Sequence, residues 1–451
     1  MLLFYKVLKY IYSKIKNSVL NFTVWTYFIF SVLGFYIFSK KKIMLVNVEN
    51  WHLVITHFKN IRKFSNFYKK DYSVIYINLY SEAMCFFLNL FLDTKKKNFL
   101  LSKKFYKIFR MAMWTIFLRD NNSGDDLKNI DILDEKKYLK FFKFKSNNFL
   151  KKKKFNSLSN VFNNEKISAV LLTQISYSEI FIYSFATLNK KKIFFWGDKI
   201  LCLDYPYNSI SKKIYNYHLI NKRKIPILIK RKAQTVLNNR FNGIYKNYIN
   251  YKFYLTGKLN SDINYSFFDN QKKSTLFLYL HCFSDAPYSF INFYENDIFI
   301  DHFHSSLFVI NFAIRNNFKL FIKVHPQSNV FKNDIFFINN IKKIIHDNKN
   351  ITMIDNIPLH KIKNSYKPII ITNFGTITLE AAYSGIPVIT LGNSYLNYTN
   401  MCLNLKKKKN FKFLINNSYK FYKFKVARKE AIYFQASQMY DQYNFSKIYK
   451  L

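Results

Sequence analysis

Glycine and proline are scarce in this 451-residue chain, with 8 and 7 copies, and acidic residues number only 26 against 71 Lys and Arg. With 49 % apolar and 20 % aromatic residues, such a chain carries ample material for buried cores, which argues against disorder. Cysteine is also rare. Cys85, Cys202, Cys282 and Cys402 show neither metal nor redox spacing, so no disulfide framework is indicated and a reducing cytoplasm fits. Long apolar runs are almost absent too. Only residues 17–38, "NSVLNFTVWTYFIFSVLGFYIF", lack charge, which excludes a polytopic transporter. As a helix that run would be about 33 Å long at ~1.5 Å per residue, enough to cross a bilayer. Asn21, Thr23, Thr26 and Ser31 weaken a span, and lysines flank both ends. A single span, an interfacial helix and a buried helix all remain open, while the lack of a small-residue cleavage site speaks against a cleaved signal peptide.

The formal charge of +45 has two explanations. It attracts anions such as nucleic acid, anionic lipid or phosphorylated substrates. The excess is mostly Lys, accompanied by abundant Asn, Ile, Phe and Tyr, and this is also the drift of an A+T-rich genome. No Arg-rich tract, zinc spacing or helix-turn-helix pattern is present, so a nucleic-acid partner is not expected.

After Lys42 short apolar runs alternate with stretches of helical period. "KIMLVNVE", "YSVIYINLY", "ISAVLLTQI" and "KKIFFWGD" read as strands, and 82–91 as helix. Residues 121–164, with "NNSGDD" and "KKKKFNS", read as a loop-bearing insertion. A polar stretch, 257–275, reads as a linker. A second series follows: strands "LFLYLHCF", "FKLFIKVHP", "NITMIDN", "KPIIITNFG" and "IPVITLG", helices at 301–316 and within "TITLEAAYSG", and a last helix over 427–443. Strands alternating with helices predict α/β architecture with parallel sheets, here in two lobes. The expected parts are an N-terminal helical segment 1–41, a first lobe 42–262, a second lobe 275–395 and a C-terminal helical segment 396–451 that packs back on the first lobe.

Three of the 8 glycines fall in "NFGTITLEAAYSGIPVITLG", residues 373–392. An apolar strand ends at Thr372 and Asn373, a turn at Phe374-Gly375 follows, and a helix begins near Thr376. Strand–loop–helix geometry of this kind binds phosphate, because amides at a helix start point at the ligand and the dipole favours negative charge. Gly375 has no side chain to block close approach. Thr376 and Glu380 share a helix face, so the hydroxyl can reach phosphate and the carboxylate can accept from ribose hydroxyls. In "FIKVHPQSN" the strand ends at His325, where Pro326 stops it, and open parallel sheets bind ligands at such strand ends. There His325 can donate to a phosphate or base, and Lys323 adds charge. In "HCFSDAP", Ser284 and the loop amides can touch phosphates, and Asp285 can position a sugar hydroxyl or cap the next helix.

Together "HCFSDAP", "KVHP" and "NFGTITLEAAYSGIPVITLG" resemble bacterial capsular and surface polysaccharide biosynthesis proteins, which look like glycosyltransferases of the two-Rossmann-lobe GT-B type. The match covers about residues 275–395, with "NNRFNG" (238–243) as a weaker echo. The resemblance implies a CMP- or UDP-linked sugar donor held by the second lobe, with the His-Pro role carried by His325 and Pro326, the ribose role by Glu380 and the phosphate loop by Gly375 and Thr376. The implied acceptor is a glycan or lipid-linked glycan, and the implied place is the cytoplasmic face of a membrane. No metal or cofactor is expected, and no Asp-x-Asp triad is seen. Sugar transfer would develop charge on a departing phosphate, which helix-start amides, Thr376, Lys323 and His325 would stabilise. A base must take the acceptor proton. Glu49 and His52, after the first strand, and Asp198 are candidates from the first lobe, and Asp285 from the second. A nucleotide-sugar 2-epimerase and a non-catalytic scaffold of a polysaccharide assembly complex are the alternatives, although the carboxylate cluster an epimerase needs is not found.

Overall fold

A computed structural model describes residues 28–29, 42–47, 72–77, 79, 84–85, 88, 127–128, 130–141, 154–172, 179–196, 200–203, 225–244, 273–283, 298–299, 301–325, 328, 332–354, 357–373, 375–392 and 395–448. The chain divides into two compact units: Met1–Phe109 with Asn147–Tyr207 and Ser446–Leu451, and Arg110–Ser146 with Asn208–Phe445.

The first unit contains β1 (Ile43–Asn47), β2 (Ser73–Ile77), β3 (Ile167–Leu172), β4 (Lys192–Trp196) and β5 (Ile200–Leu203). They form one sheet in the order β2-β1-β3-β4-β5. All pairs are parallel except β4 with β5, an antiparallel edge that sequence reasoning did not anticipate. Strands β1 and β3 are almost continuously apolar and buried, as expected where helices cover both faces of a parallel sheet. Two helices belong here, α1 (Lys154–Asn163) and α2 (Glu179–Leu188). Helix α1 corrects the reading of 121–164 as loop: Leu158, Val161 and Phe162 form an apolar stripe that is buried. Among the described residues no helix is long and apolar enough to cross a membrane; of residues 17–38 only 28 and 29 are described, both helical.

The second unit is built on β6 (Leu276–Tyr279), β7 (Leu320–Lys323), β8 (Ile351–Ile354), β9 (Ile369–Thr372), β10 (Val388–Thr390) and β11 (Leu403–Asn404). Their order is β11-β10-β9-β6-β7-β8, and every pair is parallel. Read from the other edge the order is 3-2-1-4-5-6, that of a dinucleotide-binding sheet. The crossovers run through α4 (His302–Asn316), α5 (Lys332–Ile345), α6 (Leu359–Lys363) and α7 (Ile377–Ser384). Two more helices, α8 (Phe411–Phe421) and α9 (Phe424–Ile448), close the chain. The expectation of α/β architecture with two parallel sheets therefore holds.

One face of the second sheet, with Phe277, Tyr279, Phe321, Ile370 and Val388, packs on Leu379, Ala381 and Ala382 of α7. The two alanines are fully buried and let α7 lie close to the strands. The same core takes in Ala427, Ala431 and Phe434 of α9, and Leu237 of α3 (Ile227–Phe241). Helix α3 falls within the range expected for the first lobe, 42–262, but it packs on α7 in the second unit.

Candidate functional site

In a 3-2-1-4-5-6 sheet the chain reverses its winding between the first and fourth strands, and a crevice opens there at the carboxyl ends. In the second unit these are β6 and β9. Their last residues, Tyr279 and Thr372, pair with one another, and Tyr279 pairs with Lys323 of β7. The chain leaves β6 through Leu280 and His281, β7 through Val324 and His325, and β9 through Asn373. The strand ends that carry the three sequence motifs are thus brought to one edge by topology alone.

The imidazoles form a column there. The rings of His281 and His325 are stacked with centroids 5.4 Å apart and an interplanar angle of 13°. His281 also stacks on His302, at 5.3 Å and 23°. His302 opens α4 and is fully buried, whereas His281 and His325 are half-buried. Among the described residues no group of three His, Cys, Asp or Glu is arranged to hold a metal ion.

The turn after β9 has the geometry its glycine suggested. Gly375 adopts φ +140°, and a Cβ there would meet nothing nearer than Ile377 Cγ2 at 4.0 Å. Protein packing therefore does not demand glycine; the backbone conformation does, since L side chains avoid it. Thr376 is the N-cap of α7, is exposed, and its hydroxyl makes no capping hydrogen bond. The Thr378, Leu379 and Glu380 amides of the first turn of α7 donate to the Gly375 and Thr376 carbonyls, so what this turn presents to solvent is the threonine hydroxyl. Gly385 ends the helix in the left-handed conformation, φ +75°, the usual way to close so short a helix. Asn373 is buried, and its Oδ1 lies 2.8 Å from the Ser305 hydroxyl of α4. Its role is to fasten the turn to α4.

Glu380, expected to accept from ribose hydroxyls, has a protein partner. It is buried and faces Arg240 of α3, with Nη1 to Oε1 at 3.7 Å. Arg240 Nη1 also lies 3.5 Å from Gln435 Oε1 of α9. Burial raises the Glu380 pKa, and the charges of Arg240 and Lys323 partly offset the rise. Lys323, whose amine sits 4.9 Å from the Tyr279 ring centre, has its pKa lowered by desolvation, with Glu380 acting against the shift. The cluster thus holds two cations against one carboxyl under the strand ends. Arg240 was not singled out from the sequence, yet it lies within "NNRFNG", the segment that carried the weaker family echo.

Two buried networks hold the rim. Asp301, the N-cap of α4, accepts from the His304 amide at 2.8 Å and bonds its Nδ1 at 2.8 Å. It also accepts from the Tyr138 hydroxyl, and the Tyr138 ring lies tilted at 54° against His304, with centroids 4.5 Å apart. Burial opposes both charges, but attraction and hydrogen bonding win, so the Asp301 pKa is lowered and the His304 pKa raised. Behind His281, Asp334 of α5 accepts from the Cys282 thiol at 2.8 Å and from the Phe283 amide at 2.9 Å. Phe283, Phe303 and Phe337 pack around this joint.

Of the residues proposed from sequence, Lys323, His325, Thr372, Asn373, Gly375, Thr376 and Glu380 gather at this edge. Glu49, His52, Asp198, Ser284, Asp285 and Pro326 lie outside the described residues. His302 was missed because a histidine at a helix start, distant in sequence from both strand ends, carries no local signal.

No protein-family model and no curated protein matches the sequence. Among solved structures the chain is similar to UDP-GlcNAc 2-epimerase from Neisseria meningitidis bound to UDP-GlcNAc, at 14 % identity and a TM-score of 0.32, over 64 % of this chain and 79 % of that one. It is similar to the Methanocaldococcus jannaschii UDP-GlcNAc 2-epimerase in complex with UDP-GlcNAc and UDP, at 12 % identity and a TM-score of 0.29, over 61 % and 80 %. A third similarity, to the S. aureus MnaA–UDP co-structure, covers 91 % of this chain and 97 % of that one at 15 % identity and a TM-score of 0.32. Likeness of this degree leaves the chemistry to be argued from this chain's own residues.

Proposed function

We propose that this protein is a glycosyltransferase that takes a sugar from a CMP- or UDP-linked donor and passes it to a capsular or other surface glycan. The observation that carries the reading is the strand-end edge at the β6/β9 switch point. There a glycine turn with φ +140°, an exposed threonine hydroxyl at a helix start and two half-buried imidazoles lie along one edge of the sheet. Each is a donor suited to phosphate oxygens. Departure of a nucleotide leaves negative charge on phosphate, and Lys323, His325 and Thr376 would stabilise it. The acceptor's proton needs a base. Glu49, His52 and Asp285 remain the candidates for it, and Ser284 and Pro326 for further donor contacts. The acceptor is a glycan or lipid-linked glycan at the cytoplasmic face of a membrane; the donor is a co-substrate and no other cofactor is called for.

A nucleotide-sugar 2-epimerase is the second reading, favoured by one feature: Glu380 is a buried carboxyl with a raised pKa, suited to acid–base work on a bound sugar. Thermal unfolding of the full chain with UDP-, CMP- and GDP-sugars tests donor binding. A ligand at 100 times its dissociation constant adds about 2.7 kcal/mol, and Thr376→Val and His325→Ala should reduce the shift. Mass and NMR analysis of the sugar after incubation then separates the readings. A changed C2 configuration without acceptor supports the epimerase. Nucleotide release that depends on added glycan supports the transferase. A folded protein that no nucleotide sugar stabilises refutes both and favours a scaffold.

A further inference from the structure

Helix α8 has two unlike sides. Phe411, Ile415 and Ser418 are buried, with the Phe411 ring against Phe308 and Phe312 of α4 at 5.2 and 4.8 Å. Tyr419 and Tyr422 tie down its far end, donating to the Pro368 carbonyl at 3.0 Å and the Met401 carbonyl at 2.8 Å. These contacts seat the helix without its outer side. Yet that side carries Phe413 and Phe421, 57 % and 40 % exposed, with ring centroids 5.5 Å apart. Val426, 42 % exposed, follows in the first turn of α9. Lys412, Lys420, Lys423 and Lys425 stand among them, all exposed. We propose that this outer face of α8, with the lysine run 406–409 before it and the start of α9 after it, docks the protein on the surface of an anionic phospholipid bilayer.

The charge here is local and exceeds a share of the chain's general excess. Residues 406–429 hold ten Lys or Arg and no Asp or Glu, where +45 spread evenly over 451 residues would place two or three in such a stretch. One flank of α8 also lines a cavity of about 410 Å³ that carries Lys273, Lys367 and Lys412 beside Tyr366 and Tyr419, with no acidic side chain among its lining residues. Three ammonium groups there suit the phosphate of a lipid headgroup. Tyr366, 40 % exposed, has the apolar ring and polar tip that favour a bilayer interface.

The mixture of residues selects the partner. An acidic glycan would pair with the lysines and leave both phenyl rings and Val426 in water. Single-stranded RNA offers bases to the rings but nothing to Val426. A bilayer presents anionic headgroups directly above hydrocarbon, so lysines and apolar side chains on one face are both satisfied. With 11 residues, α8 is about 16 Å long at ~1.5 Å per residue, half of what a span needs, so it lies in the interface plane. This inference goes beyond the donor chemistry and does not rest on it; it names the surface that would hold the protein at a membrane face.

The test is co-sedimentation of the full chain, without nucleotide sugar, with vesicles of two parts phosphatidylcholine to one part phosphatidylglycerol and with vesicles of phosphatidylcholine alone. Binding is expected to the mixed vesicles only, and it should weaken as salt rises. Replacing Lys412, Lys420 and Lys423 together by Gln should weaken it about a hundredfold, each lysine near an anionic surface contributing about fivefold. Replacing Lys342, Lys343 and Lys349, exposed on and just after α5, removes the same charge elsewhere and should change binding by less than about threefold. Phe413→Ser combined with Phe421→Ser keeps every charge and should weaken binding about tenfold. Both rings are exposed, so this variant should unfold at the wild-type temperature. Equal losses in the two lysine triples would show attraction by bulk charge, and undiminished binding of the serine variant would show that no ring enters the bilayer; either overturns the proposal. So does a failure to bind the mixed vesicles, or bulk RNA that outcompetes them and loses affinity in the α8 triple alone. All of these leave the nucleotide-sugar reading standing, since its unfolding and product assays use no membrane.

Discussion

Arg240→Ala is the perturbation with the largest calculable consequence. It removes the partner that faces buried Glu380 at 3.7 Å, where the two side chains keep only 9 % and 8 % of their surface. At an effective dielectric constant of about 20 that separation corresponds to roughly 4 kcal/mol of attraction. Deleting one member of a buried pair costs about 3–5 kcal/mol, because the other charge is left stranded. The distance is too long for a good hydrogen bond, and Lys323 remains as a second cation. Both points set the expectation at the low end, about 3 kcal/mol. For a domain of roughly 250 residues this lowers Tm by about 6 °C.

The pH dependence gives the signature. Burial already raises the Glu380 pKa above its ordinary value of 4.5, and losing Arg240 raises it further. A carboxyl whose folded pKa lies above its unfolded value contributes stability that is full below the unfolded value and is lost as pH rises through the folded one. The deficit of Arg240→Ala should therefore be small near pH 5 and grow toward pH 8. Combining it with Glu380→Gln removes the stranded charge and should recover part of the loss and flatten the pH profile. Urea unfolding of the four proteins at pH 5, 6.5 and 8 reads all of this. A single variant within about 0.5 kcal/mol of wild type, or a deficit that does not change with pH, would falsify the claim that the pair matters electrostatically.

Three further outcomes follow from single positions. Gly375→Ala forces a side chain into φ +140°; it should cost about 1–3 kcal/mol in thermal unfolding and weaken nucleotide binding, although no neighbouring atom is within 4 Å apart from Ile377 Cγ2. Thr376→Val should leave Tm unchanged, since the hydroxyl caps nothing, while calorimetry should show nucleotide affinity reduced about tenfold, the loss of one hydrogen bond to a charged group. His304→Gln should destabilise by about 2 kcal/mol at pH 6, and the gap should narrow as pH rises above 6.5 through the raised imidazole pKa, because wild type loses the same contribution there. Asp301 acts at the other end: its pKa is lowered, so its contribution fades only as pH falls below 3.8.

The β9–α7 turn was legible because every signal it needs is local. An apolar strand, a glycine with φ +140° and small residues at 381 and 382 follow one another within a dozen positions, and each dictates its own conformation. The strands of the second sheet were legible for the same reason, since β6, β7 and β9 are short apolar runs that end in polar residues. Helix α1 was not. A lysine run masks its start, and its stripe of Leu158, Val161 and Phe162 only gains meaning against a sheet. Nor could the Arg240–Glu380 pair be read, because α3 and α7 meet in a core that holds Leu237, Leu379 and Ala382 together, a meeting set by tertiary structure alone. The histidine column has the same origin. The β6–α4–β7 crossover carries the chain away and back to an adjacent parallel strand, and only that return stacks His325 on His281.

The chain's overall charge of +45 says little about the site; the balance beneath the strand ends says more. Burial, the larger effect, favours neutral Glu380, and the charges of Arg240 and Lys323 partly offset it. A phosphate arriving at the strand ends draws on the same cations and adds a negative charge nearby. Both effects push the Glu380 pKa upward from a value that is already raised. The prediction is that Glu380 donates a hydrogen bond in the occupied site, where the sequence pattern suggested an acceptor for ribose hydroxyls. Glutamine has the shape of the protonated acid and donates in the same place. Glu380→Gln should therefore keep nucleotide-sugar affinity within about threefold, while Glu380→Ala should lose about tenfold or more, the cost of one buried hydrogen bond and its packing. Calorimetry on both variants at pH 7 decides the point. Equal losses in the two would show that the ionised carboxylate is what the ligand meets, and the acceptor role would be restored.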